Sequence, residues 1–228
     1  MKSRTYTATA LGGLMLDLRV SFGAVRVVVE DCDHAEVTLT GPDADVIDHT
    51  RFAEAYSRLT VHVPDPPALH LGGTVHMSGG NVGMVAGVVY GGMVMYGNGG
   101  QAAGMVVGGV GSAGITVDVR LPLHSSLSAK TVAASVVVSG ALVTASVDTT
   151  SGAIALDTVG GPELESVSGD ISVANLAGIG FIETVSGDID AHAERPCDLN
   201  ARSVSGDIRT TGPIRLAAHT VSGRVRTY

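Results

Sequence analysis

The sequence contains few of the residues from which most protein cores and catalytic sites are built. Tryptophan is absent, and the 228 residues include only three phenylalanines and five tyrosines. The core must therefore come from aliphatic side chains. Two cysteines, Cys32 and Cys197, are too few for a disulfide framework, so we expect free thiols. With 14 basic against 22 acidic residues, the net charge of −8 gives no basic field for nucleic acid.

The N-terminus lacks the uninterrupted apolar run of a signal peptide. Asp17 and Arg19 interrupt residues 11–20, which fit a first β-strand instead. The chain also has no segment that fits a transmembrane helix, because glycine and polar residues interrupt its most apolar region. We therefore predict a cytoplasmic protein.

Catalytic and cofactor motifs are missing or lie in the wrong context. Residues 109–114 match G-x-G-x-x-G, but the alternating strand pattern ITVDVRL follows where a dinucleotide site needs a helix. The cluster EDCDHAE at 30–36 fits a polar hairpin turn better than a metal site. We predict that the protein is not an enzyme and has no cofactor.

A repeat of about 18 residues occupies the C-terminal half. Copies such as ESVSGDISV and ETVSGDIDA align on the Ser or Thr before Val, with spacings of 18, 17, 18, 19 and 17 residues. The aligned positions are Thr131, Thr149, Ser166, Thr184, Ser203 and Thr220. The Val-Ser-Gly at 138–140 is out of phase with them.

Each copy alternates with the period of a β-strand. In the copy at 166–173, we expect Val167, Gly169, Ile171 and Val173 to face inward, with Asp170 facing outward. The same phase predicts inward valines in the other copies: Val132, Val185, Val204 and Val221. The inward glycine predicts a close approach where a side chain would not fit.

These patterns predict an all-β protein, a single-chain β-solenoid of about six 18-residue coils with an N-terminal β cap. An antiparallel meander is the competing arrangement, but it does not require so constant a period. We assign residues 1–65 to the cap, 66–117 to an uncharged insert and 118–228 to the repeats. Strands are expected at 14–22, 24–30, 35–40 and 58–63 of the cap, with a short helical turn within 43–57.

The repeated SVSGDI, the GP..L turns and the segment GAVRVVVEDCDHAEVTLTG at 23–41 resemble a bacterial β-strand-repeat family, the adhesin-like toast-rack domains. The resemblance covers most of the chain and is clearest from 116 to 228. It implies an all-β, solenoid-like fold. It implies no catalytic residues.

The insert has no Asp, Glu, Lys or Arg over 52 consecutive residues, from Pro66 to Val117. Segment 70–115 also holds 16 of the 31 glycines and five of the seven methionines. It can be a β extension packed within the chain, a self-associating interface, or a membrane-inserting set of hairpins. The candidate interaction residues in it are Met84, Val88, Tyr90, Met93, Met95 and Tyr96.

Two further groups of side chains are candidates on the repeats. Asp170, Asp188 and Asp207 would form an outward row in register, a weak candidate for Ca²⁺, which needs six to eight converging oxygens. Arg224 and Arg226 replace acids in the last copy and fit edge protection or contact with an acidic neighbour.

From these features we predict a non-catalytic structural or interaction protein, a scaffold that self-associates or docks a protein partner, with no nucleic acid. The alternative is a membrane- or surface-binding module acting through residues 70–115.

Overall fold

The computed structural model describes residues 1–9, 12–65 and 114–228, and these residues form 15 strands in one open sheet with one short helix. The prediction of an all-β protein is confirmed. The first part contains β1 (Lys2–Thr9), β2 (Met15–Glu30), β3 (His34–Gly41), α1 (Ala44–His49), β4 (Arg51–Ala55) and β5 (Arg58–His62). Of the described residues, no helix is long and apolar enough to cross a membrane.

The remaining ten strands follow from residue 115 to the C-terminal region. They are β6 (Ile115–Pro122), β7 (Ser126–Thr149), β8 (Ile154–Ser166), β9 (Ile171–Leu176) and β10 (Ile179–Thr184). Then follow β11 (Ile189–His192), β12 (Cys197–Ser203), β13 (Ile208–Thr211), β14 (Ile214–Thr220) and β15 (Val225–Thr227).

From β8 onward the chain alternates between two parallel ladders. The first ladder joins β8, β9, β11, β13 and β15, and the second joins β8, β10, β12 and β14. In the first ladder, Ile171 pairs with Ile189, and Ile189 pairs with Ile208. A strand therefore pairs with the equivalent strand of the next repeat, and the meander is excluded for this part of the chain.

The register confirms the alignment of the last five copies. Thr149 pairs with Ser166, Ser166 with Thr184, and Thr184 with Ser203, which in turn pairs with Thr220. The Val-Ser-Gly at 138–140 lies elsewhere, at a register shift within β7, and Gly140 has a φ of +94°. It is out of phase, as predicted.

The inward residues of successive repeats stack in columns that form the core. The first ladder stacks Ile154, Ile171, Ile189 and Ile208, all buried. The second stacks Leu164, Ile182 and Ala201, also buried. Burial of one such aliphatic side chain contributes about 1.5–3 kcal/mol, and a single repeat offers nothing to bury it against.

The valine that follows the aligned Ser or Thr faces outward, so the predicted inward phase is wrong at this position. Val167 is 48% exposed, and Val132, Val185, Val204 and Val221 are exposed as well. The preceding Ser or Thr is buried in all copies but the last, where Thr220 is half-buried. Strict alternation fails because Val and the next Ser both occupy a corner, and the inward phase resumes at the glycine.

The strands before the repeats continue the same parallel pairing. β2 pairs in parallel with β7 along most of its length, from Met15 to Val28. β6 also pairs with β2 in parallel and with β3 antiparallel, so it lies between them. The residues between Glu30 and His34 are therefore a connection, and the expected hairpin is wrong because the two strands do not pair with each other.

The helical turn expected within 43–57 is present as α1. Asp43 caps its N-terminus, where one carboxylate oxygen accepts the backbone N–H groups of Asp45 and Val46. The helix packs near β1, since the Arg4 guanidinium donates to the carbonyls of Ile47 and Thr50 at 3.2 and 3.0 Å.

Candidate functional site

Each of the last five repeats turns a corner at a four-residue segment that begins with Ser or Thr and ends with Gly, and a side-chain hydroxyl holds the turn. The Ser166 hydroxyl accepts the backbone N–H of Gly169 at 2.8 Å, and Thr184 accepts that of Gly187 at 3.1 Å. Equivalent bonds join Thr149 to Gly152, Ser203 to Gly206 and Thr220 to Gly223. The polar residue at the start of the motif is thus structural.

The corner glycines stack against one another with no room for a side chain. A Cβ on Gly169 would lie 2.0 Å from the carbonyl oxygen of Gly152, and one on Gly187 would lie 2.1 Å from that of Gly169. The same holds for Gly206 and Gly223, at 1.8 and 1.9 Å. The close approach predicted from the sequence is confirmed.

The candidate aspartates form an outward row in which each carboxylate caps the next repeat. The Asp170 Oδ1 accepts the backbone N–H of Asp188 at 2.9 Å, and the Asp188 Oδ1 accepts that of Asp207 at 2.8 Å. The Asp207 Oδ1 accepts the N–H of Arg224 at 2.9 Å. These carboxylates therefore link neighbouring repeats.

The charge around the row is partly balanced by an arginine. The Arg209 guanidinium lies 3.4 Å from a carboxylate oxygen of both Asp188 and Asp207. In the described ranges, no group of three or more His, Cys, Asp or Glu side chains is placed to hold a metal ion. Calcium along the row stays a prediction, and nothing in the geometry adds to it.

The last repeat, residues 214–228, ends the stack and is called here the terminal rung. Among the described strands, β14 pairs with β12 alone and β15 with β13 alone. Ile208 is fully buried one repeat below, whereas Val225, its partner in register, is 44% exposed. Ile214 and Leu216 are half-buried. Among the described residues, no strand therefore covers the outer edges of β14 and β15.

At the opposite end of the sheet, β1 pairs with β3 alone among the described strands, and side chains on one of its faces contact α1 and β4. The rings of Tyr6 and Phe52 stack with centroids 4.7 Å apart, and the Arg4 guanidinium lies 5.0 Å from the Phe52 centroid. Lys2 forms an ion pair with Asp48. The edge strand β1 is thus flanked by α1 and β4, whereas no described element flanks β14 or β15 on the outer side.

The terminal rung is basic. It contains Arg215, Arg224 and Arg226 and no carboxylate side chain, whereas the rest of the chain has 11 basic and 22 acidic residues. Arg215 lies 3.4 Å from Asp198. The guanidinium groups of Arg224 and Arg226 form no ion pair with a described residue. The two arginines selected from the sequence therefore lie together at the open end.

An exposed apolar pair on β10 was missed by sequence reasoning. Ile179 and Phe181 are 61% and 54% exposed on the outer face of the second ladder. Gly180 and Ile182 occupy the inward phase between and after them, and Gly180 faces the core close to Leu176 and Leu199. The alternation of GIGFIE, read with glycine as an inward residue, would have identified the pair.

Both cysteines are free thiols, as predicted. Cys197 is buried at the start of β12, and burial raises the pKa of its thiol, with a smaller contribution from the neighbouring Asp198. A raised thiol pKa disfavours the reactive thiolate, so Cys197 is a poor nucleophile. Cys32 lies half-buried in the connection after β2.

The insert residues proposed for interaction lie outside the described residues. They are Met84, Val88, Tyr90, Met93, Met95 and Tyr96. The predicted boundaries at 65/66 and 117/118 stay predictions. The residues that follow the G-x-G-x-x-G match at 109–114 form the strand β6, which begins at Ile115. A dinucleotide site would require a helix there.

The chain was compared with curated proteins, solved structures and family models. No curated protein matches the chain. A structure described as a "putative adhesin" from Parabacteroides distasonis is 14% identical, with a TM-score of 0.44, and the match covers 100% of this chain and 97% of the other. Another described as a "putative adhesin", from Bacteroides fragilis, is 13% identical, with a TM-score of 0.49 and the same coverage of 100% and 97%.

The family itself is identified from the sequence of the insert and the repeats. A family model described as Toastrack DUF4097 matches residues 74–226, more than half of the chain. The protein therefore belongs to the Toastrack DUF4097 family, as the SVSGDI repeats indicated.

Proposed function

We propose that the protein is a non-catalytic interaction scaffold, a β-solenoid of about six coils under an N-terminal cap, which docks a protein partner at the terminal rung. The observation that carries this proposal is the one-sided pairing of β14 and β15. Unpaired backbone groups at a strand edge form a template for another strand.

The apolar side chains of the terminal rung favour binding of a partner over exposure of this edge to water. Ile214, Leu216 and Val225 lie above a core that is closed one repeat below. An added strand would bury these side chains and satisfy the backbone edge together. The tight corners and stacked glycines make the rest of the repeats a rigid support for that edge.

Hydrogen exchange tests the docking site. The full chain is mixed with extended peptides of acidic, neutral and basic charge, and amide protection is mapped by mass spectrometry. We expect at least one class of peptide to protect β14 and β15, while β1 and β4 keep their exchange rates. If no class protects the terminal rung, the proposal is wrong whatever the charge of the partner.

Self-association through the insert is a second proposal, supported by its 52 residues without a charged side chain. Charges on exposed strands keep copies apart, and this segment has none. Light scattering of the full chain and of a version lacking residues 66–113 shows whether the insert causes self-association. We expect a larger mass for the full chain only. Equal, monomeric masses would contradict self-association.

The membrane alternative acts through residues 70–115, and the same pair of proteins tests it by liposome flotation. Flotation of the full chain alone would support it, and flotation of neither would contradict it. The cytoplasmic location predicted from the N-terminal sequence also stays a prediction.

A further inference from the structure

The row of capping carboxylates ends at the terminal rung with a change of charge. Asp170, Asp188 and Asp207 each accept the backbone N–H of the equivalent residue in the next repeat. Arg224 occupies that position in the last repeat. A strand added above Arg224 therefore meets a hydrogen-bond donor where the three preceding repeats offer a carboxylate acceptor.

Arg226 lacks one of the two carboxylates that its equivalent contacts, and in the described residues it forms no ion pair with the other, Asp207. Arg209 pairs in register with Arg226, and its guanidinium lies 3.4 Å from both Asp188 and Asp207. The residue two before Arg226 is Arg224 and not an aspartate. Arg226 is half-buried and Arg224 is exposed.

The alternation of β15 defines what an added strand must carry. Val225 belongs to the inward column of Ile208, whereas Arg224 and Arg226 lie on the outward phase on either side of it. Residues of an added strand alternate in the same way. An apolar residue flanked by two acidic residues would cover Val225 and bring carboxylates to both arginines.

The same charges disfavour a second copy at this edge. Two terminal rungs facing each other would bring two sets of Arg215, Arg224 and Arg226 together, and like charges across adjacent strands are destabilising. Lipid head groups and nucleic acids also lack the backbone groups that a β edge pairs with. The partner that fits is a polypeptide in extended conformation.

We propose that the terminal rung binds an extended acidic segment of another protein, which adds a strand to β15 and places carboxylates against Arg224 and Arg226. This inference rests on the proposed function and specifies the partner. The segment reads acidic, apolar, acidic at three successive positions, the pattern that the chain itself has at Asp188, Ile189 and Asp190.

A charge-swap experiment tests the inference with the full chain. The probe is a fluorescent peptide with the sequence of residues 184–192, TVSGDIDAH, and two matched peptides carry Ser or Lys in place of both aspartates. Binding is measured by fluorescence polarisation at about 0.05 and 0.15 M salt. We expect the acidic peptide to bind at least about tenfold more tightly than the others, with weaker binding at higher salt.

In the double variant Arg224→Glu with Arg226→Glu, the affinity for the acidic peptide is expected to fall by about tenfold or more. The affinity for the lysine peptide is expected to rise. Arg195→Glu is the matched control, because Arg195 is exposed in a turn before β12 and is not part of the terminal rung. The charge-neutral pair Arg224→Gln with Arg226→Gln, checked by circular dichroism, guards against loss of folding. Its acidic-peptide affinity is expected to fall between the wild-type and reversed values.

Three outcomes would overturn the inference. One is equal affinity for the three peptides. Another is an equal fall in the affinity for the acidic peptide in Arg195→Glu and in the double variant. The third is dimerisation of the glutamine pair with no peptide binding to the wild type, which would show that the arginines only protect the edge from other copies. Protection of β14 and β15 by neutral or basic peptides would leave the docking proposal standing and reject only the acidic partner.

Discussion

At the scale of single residues, the repeat is governed by a glycine that has ordinary backbone dihedrals. Gly169 and Gly187 are not among the residues with positive φ, so conformational freedom is not what requires them. Their requirement is space, since a Cβ would lie about 2 Å from the carbonyl oxygen of the glycine one repeat below. A backbone oxygen in a stacked strand has little room to move away.

We predict that Gly187→Ala is strongly destabilising, by about 3 kcal/mol or more, because the new methyl group meets the Gly169 carbonyl at 2.1 Å. Gly161→Ala is the matched control, since its Cβ would have neighbours at 3.7 and 3.8 Å only. Chemical denaturation of both variants measures the free energy of unfolding. Similar losses in the two would contradict the stacking argument.

At the scale of the element, the corner between β10 and β11 depends on one buried hydroxyl. Thr184 is 5% exposed, and its hydroxyl accepts the N–H of Gly187 at 3.1 Å. Removing the acceptor would leave a buried N–H without a partner, which costs about 1–3 kcal/mol. The corner therefore explains why Ser or Thr, and no aliphatic residue, begins each copy.

We expect Thr184→Val to lower the free energy of unfolding by about 1–3 kcal/mol, because valine keeps the shape but cannot accept the N–H of Gly187. Thr184→Ser keeps the hydroxyl that Ser166 and Ser203 use in the same place, so this variant should lower the free energy of unfolding by less than Thr184→Val does. Denaturant titration compares the two. A larger loss for serine than for valine would contradict the role assigned to the hydroxyl.

The register of the repeat strands could be predicted, because residues one repeat period apart pair with each other in the parallel ladders. The corner could not be predicted from alternation, since Val167 and Ser168 both face outward and the apolar residue is the exposed one. The position of β6 between β2 and β3 was also out of reach, because β6 and β2 are separated by the whole insert. The terminal arginines were identified because they break the repeat.

At the scale of the whole molecule, Asp65 and Gly114, the residues on either side of segment 66–113, both lie beside β2. Asp65 accepts a hydrogen bond from the Ser21 hydroxyl, and Gly114 lies against Gly23. Ser21 and Gly23 are both in β2, so the chain leaves and returns at neighbouring positions. A short linker can therefore replace residues 66–113.

We predict that a version with Asp65 joined to Gly114 through a short Gly-Ser linker keeps its β-sheet circular dichroism and a single cooperative unfolding transition. The reason is that β5, β2 and β6 keep their register pairs without any residue of the deleted segment. Thermal unfolding with the full chain as control measures this. Loss of cooperativity would show that the insert is needed for the sheet.

The stacked corners also bear on how such a chain can change in length. Neighbouring repeats contact each other through the same stacked glycines and through serine hydroxyls that donate to a carbonyl of the repeat below, so one level is interchangeable with the next. An internal tandem duplication of one period would insert a complete level whose upper and lower surfaces already match those around it. Evolution could lengthen or shorten the molecule by about 4.8 Å at a time and leave the arginine-bearing end unchanged.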